Sequence, residues 1–139
     1  MNPKTLHGQN GVMLLEALIG ILIFSIGILA LLGMQATAMR ATIDAKYRSE
    51  AAFLANEIIG QMWVNRGNLN DNYDTVNCPF YPDCNAWLTR VQAKLPNATG
   101  ANAPTIAIFG QQATVTIKWQ RPGDTSVSQH IAVAQINNS

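Results

Sequence analysis

The chain has 139 residues, a formal net charge of +1 and only 12% charged residues. That length provides for one domain once an apolar N-terminal segment is set aside. A charge so close to balance gives no basis for a nucleic-acid surface, which needs clustered Lys and Arg, so no nucleic acid is expected as a partner.

The N-terminal part contains an apolar segment that is long enough to cross a membrane. Residues 17–39 carry no charge, and Ser25 is the only polar side chain between Ala17 and Met34. As a helix this run rises about 34 Å, and the hydrocarbon core of a bilayer is about 30 Å thick. We therefore predict a membrane-spanning helix. The alternative is a cleaved secretory signal, which has an apolar region of about 7–15 residues and for which Ala36-Thr37-Ala38 is a passable cleavage site.

Three glycines, Gly20, Gly27 and Gly33, lie inside this segment. Each lowers the local helix propensity by about 1 kcal/mol relative to Ala. Small residues favour close packing between membrane helices, and they equally favour local unwinding when subunits pack together. The sequence leaves both interpretations open.

The helix is predicted to continue beyond the apolar segment, from about Val12 to Arg66. No proline interrupts the chain between Pro3 and Pro79, and Gly67 is followed by polar residues that indicate a stop. Apolar residues recur on one face at a spacing of three or four, namely Met39, Ile43, Tyr47, Ala51, Leu54, Ile58 and Met62. On a polar face, the four-residue spacing of Arg40, Asp44 and Arg48 predicts a ladder of ion pairs.

Cys78 and Cys84 are the only cysteines, and oxidation would close a short ring between them. The rival is a metal site, but two thiols without a nearby His or a second Cys pair make a poor zinc set. We expect a disulfide and no metal. A disulfide requires an oxidising compartment, which places the C-terminal part outside the cytoplasm and the N-terminus inside.

The remainder predicts a small α+β domain in which the long helix packs on an antiparallel sheet. Residues 68–83 read as a loop, and Asp83 as the N-cap of a helix over residues 84–95. Apolar and polar residues alternate over residues 113–119, which predicts a half-buried strand. Residues 121–124 are predicted to form a turn, residues 127–136 the strand that follows it, and residues 105–109 a further strand. The three tryptophans Trp63, Trp87 and Trp119 occur at spacings expected of a core.

No enzyme motif is present. His7 lies in the N-terminal leader and His130 in a predicted strand with no nucleophile signature beside it, so a structural histidine is the expected role. The sequence has no Gly-rich phosphate loop, no HExxH and no paired-carboxylate motif. We predict a chain that is not an enzyme and has no cofactor.

The residues around Glu16 resemble those of the type IV prepilin family, which has a short basic leader ending in Gly and a Glu at the fifth mature position. Here Lys4 lies in the leader, Gly11 matches its last residue, Val12 the new N-terminus and Glu16 the carboxylate. The resemblance implies a leader at residues 1–11, an assembly half of the helix at residues 12–39 and a soluble pilin-like domain at residues 40–139. It also implies that prepilin peptidase cuts between Gly11 and Val12 and methylates the Val12 amine.

Further along, the chain resembles the PilV-type minor pilins in residues 52–58, 61–66, 84–88 and 95–96. This resemblance implies an inner-membrane subunit with its domain in the periplasm, which is incorporated in the pilus or its initiating complex. The implied partners are other minor pilins, the major pilin, the inner-membrane assembly platform and membrane lipid. A minor pseudopilin of type II secretion shares the leader, the glutamate and the fold. A DNA-uptake pilin and an anchored enzyme are the more distant alternatives.

Glu16 has two physical interpretations. A carboxylate desolvated in a bundle of helices needs a cation, and the Val12 amine of a neighbouring subunit is the candidate that the resemblance supports. Alternatively, a Glu near a helix N-terminus is stabilised by the helix dipole, which is worth about 0.3–1 kcal/mol. The leader and the glycine that accompany Glu16 favour the assembly role.

Overall fold

A computed structural model describes residues 9–137, with side chains from Gly11 onward. The predictions on the leader that involve Lys4 and His7 lie outside the described residues. The chain divides into two compact units, residues 1–43 and residues 44–139. The elements are α1 (Gln9–Val64), α2 (Leu69–Tyr73), α3 (Pro82–Lys94), β1 (Thr105–Phe109), β2 (Gln112–Trp119) and β3 (Ser128–Gln135).

The predicted fold class is confirmed: a long N-terminal helix is followed by a small antiparallel sheet in the strand order β1-β2-β3. In the first unit, every residue of α1 from Gly11 to Ile43 is exposed. The helix passes without interruption through Gly20, Gly27 and Gly33. It ends at Val64, two residues before the predicted end, and short 3-10 turns follow at Arg66–Asn68, Cys78–Phe80 and Gly100–Asn102.

The second unit contains one hydrophobic core, built between the C-terminal part of α1 and one face of the sheet. Ala51, Leu54, Ile58 and Met62 of α1 are buried there, as the periodicity predicted, whereas Met39 and Ile43 of the same pattern are exposed. The sheet contributes the alternating residues of β2, which are Ala113, Val115, Ile117 and Trp119. The alternation of β2 is therefore the clearest sequence signal that the structure confirms.

Helix α3 is fastened to α1 by three contacts at successive turns. The Trp87 indole N–H donates to the backbone oxygen of Leu54 at 2.8 Å, inside the core. Two ion pairs accompany this bond, and their carboxylates lie on either side of Leu54 along α1. Arg90 pairs with Glu57, and Lys94 pairs with Glu50 at 2.8 Å. Both ion pairs are partly exposed, so most of the stabilisation comes from the burial of Trp87 and Val91 rather than from the charges.

Several sequence-based predictions in this unit need correction. Residues 68–83 are not a plain loop, because α2 forms there and buries Leu69 and Tyr73. Helix α3 begins with Pro82, its N-cap is Tyr81, and Asp83 lies in the first turn instead of capping it. Proline suits this first position because its missing N–H would have no helical partner there.

Trp63 is also not a core residue, since 43% of its surface is exposed, while Trp87 and Trp119 are buried. Trp63 lies one position past Met62 in α1, and Met62 is the residue that lies on the buried face of the helix. The turn between β2 and β3 forms as predicted: Asp124 N–H donates to the Arg121 oxygen at 3.1 Å, and Gly123 has a φ of 86°.

Candidate processing and assembly site

Glu16 is the only charged residue from Gly11 to Met39, and its side chain is exposed. It follows Val12 by four residues, which places the two side chains on the same face of α1, one turn apart. Val12 is 66% exposed. The carboxylate therefore lies on an otherwise apolar surface, beside the residue that cleavage would turn into the N-terminus.

The described part of the chain provides no cation for Glu16. No ion pair within residues 9–137 includes it. The next charged residue along the helix is Arg40, and its separation of 24 positions from Glu16 corresponds to about 36 Å of helix rise. A cation that pairs with Glu16 must therefore come from the residues before Gln9 or from another molecule.

The Gly11–Val12 peptide bond lies in the first turn of α1, which begins at Gln9. The first four N–H groups of a helix have no acceptor four residues back, so this turn opens at low cost. A Cβ added at Gly11 would meet no atom within 4 Å. The bond is thus open to an extended conformation, which a protease cleft requires, and no side chain at Gly11 obstructs the approach.

From Ala17 to Met34 the exposed surface of α1 is apolar on every side of the helix, with Ser25 as its only polar side chain. The described residues contain one helix that is long and apolar enough to cross a membrane. Its few hydroxyl groups bond to the helix itself: Ser25 Oγ donates to the Ile21 oxygen at 2.7 Å, and Thr37 Oγ1 to the Gly33 oxygen at 3.2 Å. Because these donors are satisfied internally, they do not oppose transfer into lipid. Glu16 has no such internal partner.

Cys78 and Cys84 form a disulfide, and both residues are buried. The bond links the 3-10 turn at Cys78–Phe80 to the first turns of α3, with a Cα–Cα distance of 5.1 Å. Beside it, Tyr81 packs edge-on against Tyr73, with ring centroids 5.4 Å apart. The disulfide therefore fixes the connection that leads from α2 into α3.

The ladder of ion pairs predicted along α1 does not form, because Asp44 has a different partner. Asp44 pairs with Arg121 of the turn after β2, at 2.8 Å, and Arg121 also contacts Asp124 at 2.6 Å. The hydrogen bond to Asp124 is the main cause that raises the pKa of Arg121 above its usual value, and partial burial opposes it. Neither Arg40 nor Arg48 forms an ion pair with any described residue. Sequence reasoning missed the Asp44–Arg121 pair because its partners are separated by most of the domain.

His130 lies in β3 opposite Ile117 and is half-buried. Between residues 9 and 137, no group of three His, Cys, Asp or Glu side chains lies close enough together to hold a metal ion. Comparison of the chain with protein-family models, with curated proteins and with solved structures gives no match.

Proposed function

We propose that this chain is a minor type IV pilin, a non-enzymatic subunit held in the inner membrane by the N-terminal part of α1. Residues 44–139 are the unit that lies in the periplasm, where the disulfide between Cys78 and Cys84 forms. The subunit takes part in starting pilus assembly together with other minor pilins, the major pilin and the inner-membrane platform. Prepilin peptidase acts on it as a substrate.

One observation carries the proposal: a single exposed carboxylate, Glu16, lies one turn after the Gly11–Val12 bond on a helix that is otherwise uncharged, mostly apolar and exposed as far as Met39. A soluble helix buries one stripe and exposes polar residues on the other. A function as a membrane anchor alone does not explain a carboxylate at the edge of the segment, because a charge there is costly unless it is paired. Assembly through these helices accounts for both features.

Cleavage between Gly11 and Val12 would supply the missing cation. The new Val12 amine carries a positive charge that the uncut chain does not have at that place, and methylation keeps it basic. In a bundle of N-terminal helices, the amine of one subunit pairs with the Glu16 carboxylate of its neighbour, so that neither charge remains unpaired in a dry interface. Processing is then a condition for assembly.

The charges of the periplasmic unit support this role over DNA uptake. Acidic and basic side chains are equally numerous between residues 44 and 137. Arg90, Lys94 and Arg121 are already paired with carboxylates of the same unit. A surface that follows a phosphate backbone needs an excess of free cations.

The first experiment is mass spectrometry of the N-terminus of the chain purified from cells that contain prepilin peptidase. The expected result is a chain that begins at Val12 with one added methyl group. An intact leader in such cells would contradict the proposal, since the Val12 amine would never form.

The second experiment compares Glu16→Val with Ser25→Val in the recovery of other pilins from detergent extracts. Removal of one partner of a desolvated charge pair costs about 3–5 kcal/mol, which corresponds to more than about a hundredfold in an association constant. Recovery is therefore expected to fall with Glu16→Val. Ser25→Val is the matched control, because it also replaces a polar residue of the segment with Val but removes only a bond internal to the helix. Equal recovery with both variants would refute the role of Glu16.

A further inference from the structure

The charged residues that follow the apolar segment of α1 are mostly cations. Arg40 comes directly after Met39, and Lys46 and Arg48 lie six and eight positions after Arg40 on the same helix. All three of these cationic side chains are exposed. The only carboxylate between Arg40 and Arg48 is Asp44. Arg40, Lys46 and Arg48 together form a basic collar at the end of the apolar segment.

The acidic side chains next to the basic collar are engaged elsewhere. Asp44 pairs with Arg121 at 2.8 Å, and Glu50, the next carboxylate along α1, pairs with Lys94 at 2.8 Å. Between residues 9 and 137, no carboxylate forms an ion pair with any residue of the collar. The collar therefore keeps three positive charges that the described part of the chain does not neutralise.

The length of the apolar segment places the basic collar at the surface of a membrane in which α1 is inserted. The uncharged run of residues 17–39 rises about 34 Å, a few ångströms more than the hydrocarbon core. Arg40 then lies at the boundary of the core, and Arg48 lies about 12 Å further along the helix. Side chains of an α-helix tilt toward its N-terminus, which here is the direction of the membrane. The long stems of Lys and Arg let their charged ends reach the phosphate layer.

The basic collar surrounds the helix instead of forming one stripe. At about 100° per residue, Arg48 is rotated about 80° from Arg40 to one side, and Lys46 is rotated about 120° to the other side. A folded partner contacts one side of a helix, whereas lipid headgroups surround a helix that crosses a membrane. The distribution of the three charges therefore fits a lipid surface.

We propose that the basic collar binds the phosphate groups of anionic phospholipids on the side of the membrane where the second unit lies. This inference rests on the proposed function only for the insertion of α1 in a membrane. A zwitterionic lipid brings its own ammonium group beside the phosphate and gains little from the collar, whereas an anionic lipid brings an uncompensated charge. Each cation needs only a single headgroup, so the collar does not require the extended basic surface that a nucleic acid needs.

The test measures which lipids gather around the collar in vesicles that contain the full-length chain. The native cysteines are bonded to each other, so Ala45→Cys adds one free thiol at an exposed position within the collar, and this thiol is labelled with a fluorescent donor. The vesicles consist of phosphatidylcholine with a trace of either phosphatidylglycerol or phosphatidylcholine that carries an acceptor on one acyl chain. The ratio of energy transfer to the two labelled lipids reports the local lipid preference.

We expect labelled phosphatidylglycerol to be enriched around the donor by up to about fivefold over labelled phosphatidylcholine, since a Lys or Arg near an anionic surface contributes about 1 kcal/mol. Replacing all three collar residues by Gln should abolish the enrichment. Arg40→Lys together with Arg48→Lys keeps the charges and should retain it. Arg66→Gln is the matched control, because it removes an exposed cation that lies beyond the end of α1, and it should leave the enrichment unchanged.

Equal energy transfer to both lipids with the native collar, enrichment that survives the three Gln substitutions, or an equal loss with Arg66→Gln would each overturn the proposal. Loss of the enrichment in millimolar inorganic phosphate, with the ionic strength held constant by chloride, would assign the collar to a free anion and also overturn it. Flotation of the vesicles separates these outcomes from a failure of the proposed function. A chain that does not float with the vesicles contradicts the insertion of α1, whereas a chain that floats and shows no lipid preference refutes the collar alone.

Discussion

Replacement of Trp87 by Phe tests whether α3 holds α1 in the second unit, residues 44–139, as the structure indicates. Trp87 is fully buried, and its indole N–H donates to the Leu54 oxygen at 2.8 Å. Loss of that hydrogen bond costs about 0.5–1.5 kcal/mol net. Removal of a whole buried aromatic side chain costs about 3–5 kcal/mol, so the smaller Phe ring should cost about 1–2 kcal/mol through the space it leaves. The two contributions together give about 1.5–3.5 kcal/mol of lost unfolding free energy.

Trp63→Phe is the control, because it makes the same chemical change at a residue of α1 that is 43% exposed. Substitutions at such positions usually change stability by no more than about 0.5 kcal/mol. The measurement is urea-dependent pulse proteolysis of the full-length chain in detergent micelles, which reports the unfolded fraction of the second unit. This measurement is insensitive to the helicity that the apolar N-terminal segment keeps in detergent.

Two outcomes would refute the reasoning on Trp87. Equal shifts of the urea midpoint in the two variants would mean that burial does not distinguish the tryptophans. A loss below about 0.5 kcal/mol for Trp87→Phe would mean that neither the bond to Leu54 nor the packing of α3 contributes as described.

The remaining predictions concern the segment between α2 and α3. Replacing Cys78 and Cys84 together by Ser should lower the unfolding free energy by about 2.4 kcal/mol from chain entropy alone, and reduction of the native chain should produce a loss of similar size in the same assay. An unchanged urea midpoint in the reduced chain would contradict this role of the disulfide. Burial, followed by the proximity of Tyr73 and Asp83, raises the pKa of Tyr81 above its ordinary value of 10.0. The folded chain therefore holds this proton more tightly, so the contribution of Tyr81 to stability is complete below pH 10 and is lost as the pH rises through the folded-state pKa. Tyr81→Phe should lose less stability than the native chain between about pH 9 and pH 11, and equal losses would show that the raised pKa is not coupled to folding.

Local patterns in the sequence predicted the elements of this fold well. The alternation at residues 113–119 depends only on the strand period, and the absence of proline between Pro3 and Pro79 matters only through backbone hydrogen bonding. Both are properties of the residues themselves. The turn at Gly123 follows from its positive φ, which a residue without Cβ adopts at little cost.

The differences arise where contacts distant in sequence decide the outcome. Residues 68–83 have the Asn, Asp and Pro content of a loop, yet Leu69 and Tyr73, four residues apart, are buried and hold α2 against the core. Asp44 prefers the distant Arg121 to its helical neighbours because the fold brings a guanidinium to it that also binds Asp124. Pairs of this kind have no local signature, so periodicity does not reveal them.

The helix boundary changes the interpretation of Glu16. In the uncut chain α1 begins at Gln9, so Glu16 lies about two turns inside the helix, and the first turn contains no acidic residue. The stabilisation of a carboxylate by the helix dipole is confined to about the first turn, which leaves Glu16 without it before processing. Cleavage after Gly11 would make Glu16 the fifth residue of the helix and would create the Val12 amine one turn away. Under the proposed function, the amine of a neighbouring subunit could stabilise the carboxylate only once the chain is cut, so removal of the leader would be the step that makes Glu16 compatible with a packed bundle of helices.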